Sequence, residues 1–230
     1  YLGKRDGTQY LATPVATQGN PRHSGGVVDL SGEYGGTDLR WIWQGDLANR
    51  PFEIAAGVNY DRQNQNRKGY ENFVGDTLGV KGALRRDEED TVFDFDQYAQ
   101  ATWRFADAWS ITAGARHSAV KFNSEDHYVT DANPNDSGHV DYAATTPVAG
   151  LMWRASDTVH AYASFGRGFE TPTFNELAYR ADGGPGLAFD LVPAKSTNAE
   201  IGLKMRPTRA IDLNVAVFRA KTKNELTIAT

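Results

Sequence analysis

One pattern constrains this chain more than any other: apolar side chains recur at every second position, in stretch after stretch. In DLRWIWQGDL the apolar set is Leu39, Trp41, Trp43 and Leu47, against Arg40, Gln44 and Asp46, with Ile42 breaking the rule. In PFEIAAGVNYD it is Phe52, Ile54, Ala56, Val58 and Tyr60 against Glu53, Ala55, Gly57, Asn59 and Asp61. The same alternation runs through VFDFDQYAQATWRF, WSITAGARHSAV, TTPVAGLMWR, TVHAYASFG, TNAEIGLKMR and IDLNVAVF. Period two is the spacing of one face of a β-strand. The chain therefore reads as roughly eight strands, several about 9–11 residues long, the length that crosses a bilayer when tilted. A ninth is expected near Gly3 to Leu11. No stretch carries the period of an amphipathic helix.

The connections alternate in length. Short ones fall at Asp46–Pro51, Ala106–Ala108, Ala155–Asp157 and Pro207–Arg209, and long polar ones at Gln63–Asp90, Asn123–Gly138 and Arg167–Lys195. Loops of the longer kind are unusual in compact soluble domains. A transmembrane β-barrel supplies a reason, with short turns on one side of the membrane and long loops on the other. Only a closed barrel satisfies strand backbones in hydrocarbon. Trp103, Phe105, Trp109 and Trp153 flank short turns, and Phe93 and Phe165 sit near long loops, as interfacial aromatic girdles require. A soluble β-sandwich or β-solenoid gives the same alternation but not the asymmetry of the loops.

Composition narrows the classes. The 230 residues carry a net charge of −5 and no basic run, which argues against a nucleic-acid partner. Cysteine is absent, so disulfides and thiolate metal sites are excluded. A mean hydropathy of −0.53 does not exclude a barrel whose strands are half apolar. The chain starts and stops in mid-pattern, so residues 1–230 are expected to be one domain, a partial barrel cut from a longer protein.

The stretch VHAYASFGRGFETPTFNELAYR, Val159 to Arg180, breaks a strand with Gly166, Gly168 and Pro172, and it resembles a segment of TonB-dependent outer-membrane receptors. LVPAKSTNAEIGLKMRP, Leu191 to Pro207, is similar to that family's strand after the loop, with Ala194 where an acidic residue is usual. FDQYAQATWRFADAWSITAGARHS, Phe95 to Ser118, is similar to its strand–turn–strand unit. The resemblance implies an all-β, antiparallel transmembrane barrel of roughly 22 strands around a plug, of which about eight or nine strands are present and the plug is absent. It implies a bacterial outer-membrane receptor of the ferric-siderophore class, driven by the TonB complex through an N-terminal region outside this sequence. Its partners would be a ferric siderophore or similar chelate and outer-membrane lipid.

Candidate residues fall into two groups. Arg67, Tyr70, Arg167, Phe169, Phe174, Tyr179 and Arg180 lie in stretches expected to be loops. Arginine suits anionic chelates and aromatic rings suit catecholates. Arg116, Arg154, Glu200 and Arg206 fall opposite the apolar sets and are expected to line the lumen or touch a plug. The run Asp87 to Asp90 lacks the spacing of a calcium loop and reads as a solvated loop, and Glu125 to His127 converge poorly, so no metal site is expected. No catalytic set or cofactor is expected. An outer-membrane barrel enzyme of protease or lipase type is the rival, but His117 and Ser118 fall on opposite faces of one strand and no histidine is placed with Asp94 and Asp96. A soluble β-rich binding module is the other rival.

Overall fold

The computed structural model describes residues 1–178 and 186–225. Its main body is a single nine-stranded antiparallel meander. The strands are β1 (Leu2–Tyr10), β2 (Val27–Leu47), β3 (Arg50–Tyr70), β6 (Leu84–Trp103), β7 (Trp109–Asp126), β8 (Gly138–Ser156), β9 (Val159–Glu170), β10 (Ala194–Thr208) and β11 (Ile211–Lys223), in that spatial order. A small hairpin, β4 (Phe73–Val74) with β5 (Thr77–Leu78), stands in the connection from β3 to β6. The described helices are single turns, α1 (Val15–Gln18) and α2 (Phe174–Leu177). Among the described residues the sheet does not close on itself: β1 and β11 each pair with one neighbour.

The short turns fall where the sequence puts them. β2 and β3 are joined through Ala48 and Asn49 at φ 54° and 60°, the left-handed pair of a tight hairpin whose twist matches its strands. The long connections are shorter than expected. The stretch expected to loop from Gln63 to Asp90 is mostly strand: β3 continues to Tyr70, β6 starts at Leu84, and Gln63 pairs with Val92 and Arg67 with Glu88. β7 likewise runs to Asp126 and β8 starts at Gly138, so the second long loop shrinks to residues 127–137. β9 reaches Glu170, which makes Arg167 and Phe169 strand residues. The acidic run at Asp87 to Asp90 is part of β6, and Glu88 and Asp90 are buried in it. Beyond the apolar band both faces of β3 and β6 are polar, so hydropathy no longer alternates there, and only backbone pairing to neighbours keeps the chain extended.

One face is apolar and uncovered. A single register row places Trp43, Ile54, Ala101, Ala113, Ala149, Phe165 and Ala199 side by side across seven strands. Leu39, Trp41, Ile201 and Val217 on this face are 57–69% exposed. A soluble sandwich would cover such a face with a second layer, and the described residues contain none. Near the short turns the face is ringed by aromatics: Trp109 stacks on Trp153 at 5.9 Å and Trp103 lies 6.0 Å from Phe105.

The opposite face is polar. It carries three tyrosines, each directly cross-strand from a glycine: Tyr34 from Gly3, Tyr98 from Gly57 and Tyr162 from Gly202. The phenol rings lie on the bare backbone, and a Cβ at Gly57 or Gly202 would come within 2.6 or 2.5 Å of its tyrosine. Near the long connections the same face bears the main apolar core, built on Val120, Phe122 and Tyr142 and capped by Leu177 and Leu187 from the β9–β10 connection.

Candidate functional site

The long-connection end of the polar face is the most organised part of the molecule outside the sheet ladder. Alternation along β6 points Glu88, Asp90, Asp94 and Asp96 to this face, with Asp61 of β3 directly opposite Asp94. Burial of a carboxylate needs compensation. Asp96 takes a short ion pair from Arg116, Asp90 accepts from Ser124 Oγ at 2.7 Å, and Glu88 pairs with Arg86 Nε at 2.9 Å. Arg67, cross-strand from Glu88, adds its field to both Glu88 and Asp90.

Glu88 lies five residues past Phe93, where the apolar band of β6 ends, and so outside the membrane-spanning part. Burial pushes its carboxyl up to about 7, against the pull of Arg86 and with a further push from Asp90. Burial also raises Asp90, opposed by its bond from Ser124. His23, in the connection before β2, is lowered by burial and then by Arg85 and Arg86.

Three adjacent connections are tied together above this row of acids. Gln18 of α1, fully buried, donates to Asn72 Oδ1 at 2.7 Å and to the Thr13 carbonyl at 3.0 Å, and its Oε1 accepts the Asn72 N–H at 3.1 Å. Asn72 Nδ2 donates to the carbonyls of Leu11 and Thr13. Arg85 binds Glu71 at 2.8 Å and the Gln18 carbonyl at 2.8 Å. Arg22 Nε reaches the Ala132 carbonyl at 3.4 Å and so joins the 127–137 connection. A small polar niche is left between them, lined by Arg22, Arg85, Arg86, Glu88, Asp126 and Asp136 among others.

Beside it, the β9–β10 connection folds onto the polar face. Thr173 starts α2 with a reciprocal cap: its Oγ1 accepts the Glu176 N–H at 3.3 Å, and Glu176 Oε2 accepts the Thr173 N–H at 2.7 Å. The cap aims Leu177 into the sheet, where it is fully buried, and Phe174 meets Phe122 edge-on at 5.0 Å. Tyr142 Oη donates to the Leu191 carbonyl at 2.8 Å. The site is a hydrogen-bonded rim around the polar face, with an apolar floor at β7 and β8, and one oxygen each of Glu88, Asp90, Asp94 and Asp96 stays buried there without a hydrogen-bond partner.

The residues singled out from sequence divide accordingly. Arg67 is on the polar face by register, at the rim. Tyr70 ends β3 and holds Lys81 Nζ 4.0 Å over its ring. Arg167 lies on the apolar side of β9 by alternation; Phe169 shares its parity, but at the end of the strand it packs with Phe174 on the buried cluster. Tyr179 and Arg180 lie outside the described residues. The four lumen candidates share the polar face: Arg116 on Asp96, Arg154 beside a short turn, Glu200 accepting from Tyr162 Oη, and Arg206 paired with Asp212 at 2.7 Å. The Gln18–Asn72–Arg85 clamp escapes sequence reasoning because its members are 13 or more residues apart and carry no motif. Glu88 and Asp90 were legible through the alternation of β6, had the strand been extended past Thr91.

The fold has many solved counterparts. It is similar to the ferric citrate transporter FecA in its unliganded form (TM-score 0.68, 15% identity, 85% of this chain and 28% of that one). It is also similar to the copper transporter OprC (TM-score 0.66, 17% identity, 84% and 30%) and to the siderophore receptor PiuA from Acinetobacter baumannii (TM-score 0.65, 15% identity, 84% and 32%). The chain thus spans 28–32% of the length of these proteins. The family model for the β-barrel of TonB-dependent receptor-like proteins matches residues 2–230. The uncovered apolar face is therefore the lipid face of a bacterial outer-membrane barrel, the polar face is its lumen wall, and the chain belongs to the TonB-dependent receptor β-barrel family.

Proposed function

We propose that the protein to which this barrel wall belongs imports a scarce metal chelate, of the ferric-siderophore class, across the outer membrane, with energy from the TonB complex. The observation that carries the reading is the ordered rim. In a wall built only for passive permeation, nothing requires three neighbouring connections to be clamped together and a fourth to be packed onto the lumen face. A receptor needs such a rim to hold ligand-contacting side chains in place. Family membership supports the reading, as do neighbours described as ferric citrate, copper and siderophore transporters.

Within this reading Arg67 stands where an anionic chelate enters the lumen, and Tyr179 and Arg180, which lie outside the described residues, are further candidates for contact with it. Phe169 and Phe174 serve by holding that connection against the wall. Tyr70 and Lys81 brace the outer side of the rim. Arg116, Arg154, Glu200 and Arg206 line the wall that a plug would meet. Two side chains that an enzymatic role would draw on are otherwise placed: His117 faces lipid with its Nδ1 3.0 Å from Thr145 Oγ1, and Asp96 is engaged by Arg116.

The test is uptake of radiolabelled iron presented as a panel of catecholate, hydroxamate and citrate chelates by cells carrying or lacking the intact gene. Uptake of at least one chelate that requires both the gene and the proton-motive force is expected. Equal uptake by both strains across the panel, with copper chelates included, would overturn the reading.

A further inference from the structure

Above the apolar band on the lipid face, three cation–acid pairs stand over β2 to β8, and a group of cations without an acid stands at one edge. Lys68 meets Asp87 at 3.1 Å, Lys81 meets Asp29 at 2.5 Å, and Lys121 meets Asp141 at 3.6 Å. Strands β9 to β11 differ. Their lipid-facing positions continue upward from Phe165, Ala199 and Val217 into Arg167, Lys195, Arg219, Lys221 and Lys223. The register gathers these five cations: Arg167 pairs with Thr197, which pairs with Lys221, while Lys195 pairs with Lys223, and Arg219 with Ala199. Neighbouring strands are about 4.8 Å apart and same-face residues about 6.6 Å, so the group covers one compact patch. No acid shares these lipid-facing strand positions: Glu170, Glu200 and Asp212 alternate to the lumen side, and Glu225 lies beyond the end of β11. Among the described residues none of the five cations has an ion-pair partner.

A second feature lies directly below. Ala161 and Ala163 of β9 are small, and the side chains beside them are large: Leu151 and Trp153 on one flank, Ile201 and Leu203 on the other. The result is an open apolar groove on the lipid face, which continues across Val215 and Val217. Arg219 is one same-face step above Val217. Whatever strand pairs with the free edge of β11, these side chains keep their face.

Cations at the upper margin of an apolar band, above an apolar groove, match the two ends of one ligand. We propose that the lipid face of β9 to β11 binds a phosphate-bearing acylated lipid of the outer leaflet. Its phosphates lie among Arg167, Lys195, Arg219, Lys221 and Lys223, and an acyl chain lies in the groove over Ala161 and Ala163. Anionic headgroups attract clustered lysine and arginine at a membrane surface, and phosphate takes charge-assisted bonds from both. The proposal depends on the membrane placement of this face and not on which cargo the receptor carries.

Native mass spectrometry of the intact receptor in nonionic detergent tests it, with bisphosphorylated lipid A as probe. Dephosphorylated lipid A and phosphatidylethanolamine are the comparison lipids, and inorganic phosphate is the competitor. The wild type is expected to retain bisphosphorylated lipid A. The variant carrying Arg219→Gln, Lys221→Gln and Lys223→Gln should retain it at least tenfold less, while one carrying Lys121→Gln and Asp141→Asn at the matched pair behaves as wild type. Equal retention by the triple variant, or equal retention of the dephosphorylated lipid, would overturn the proposal. Displacement by inorganic phosphate at the same concentration would also overturn it, by assigning the patch to free phosphate. Should the triple variant fail to assemble, the wild type decides alone: added salt must release the lipid, and retention unchanged by salt counts against the site.

Discussion

The lumen wall is ordered by different forces at its two ends. Near the short turns it is a thin layer of polar side chains. Gln44 donates to Glu53 at 2.5 Å, Thr102 and Thr112 share a 3.0 Å hydrogen bond, and Tyr162 reaches Glu200. Order there comes from the strand ladder and from the lipid outside. Near the long connections the same face carries Phe122, Tyr142, Leu177 and Leu187 in a buried cluster, next to carboxylates with 1–5% exposure. That end has the anatomy of a small soluble domain built on a membrane sheet. The barrel wall is thus one element by hydrogen bonding and two by energetics.

The two ends should answer differently to substitution. Phe122→Ala in the intact receptor should lower the opening free energy of the β9–β10 connection by about 3–4 kcal/mol. Hydrogen exchange at residues 174–178 should then quicken at least a hundredfold while β6 and β7 near Trp103 and Trp109 stay protected. Equal loosening at both ends would mean that the wall is one cooperative unit. Leu151→Arg on the lipid face is the mirror experiment. Insertion stability in a bilayer should fall by about 2–4 kcal/mol with exchange in α2 unchanged, as read from denaturant unfolding in liposomes.

Glu88 sharpens the contrast through pH. Its carboxyl is raised to about 7 in the folded state from an ordinary 4.5, so the folded protein holds that proton more tightly than the unfolded chain. Stability of the rim should therefore fall as pH rises from about 4.5 to 7 and level off above, by on the order of 3 kcal/mol. Glu88→Gln should flatten that slope in exchange experiments at β3 and β6, and a slope that survives the substitution would reassign it to Asp90. The smallest effect belongs to Thr173→Ala. Loss of the α2 cap should cost about 1 kcal/mol, confined to the exchange of residues 174–178, and a change of chelate affinity without it would contradict a purely supporting role for the cap.

Legibility followed the membrane. Where lipid demands an apolar residue at every second position, as at Phe52 to Tyr60, strand, face and turn were all plain in the sequence. Past Tyr60 the segment DRQNQNRKGY carries polar residues on both faces, and nothing local separates strand from loop. Its extended form is set by β2 and β6, which pairwise contacts reveal and composition does not. The candidate site suffered the same loss. Arg67 and Arg167 looked alike as loop arginines, yet the strands carry one to the lumen and the other to the lipid. The cluster that holds α2 joins Phe122 to Phe174 across 52 positions, a distance no periodicity spans.

The register row through Trp43 has a consequence for how the wall meets its surroundings. It begins four residues from the end of β2 and reaches Arg219 eight residues into β11. Strands joined at equal rungs of the ladder therefore stand at unequal depths, and a walk along hydrogen-bonded neighbours is also an ascent from one margin of the apolar band to beyond the other. Residue tolerance should run along slanted contours, so that a cation harmless on β11 becomes intolerable at its own partner three strands away.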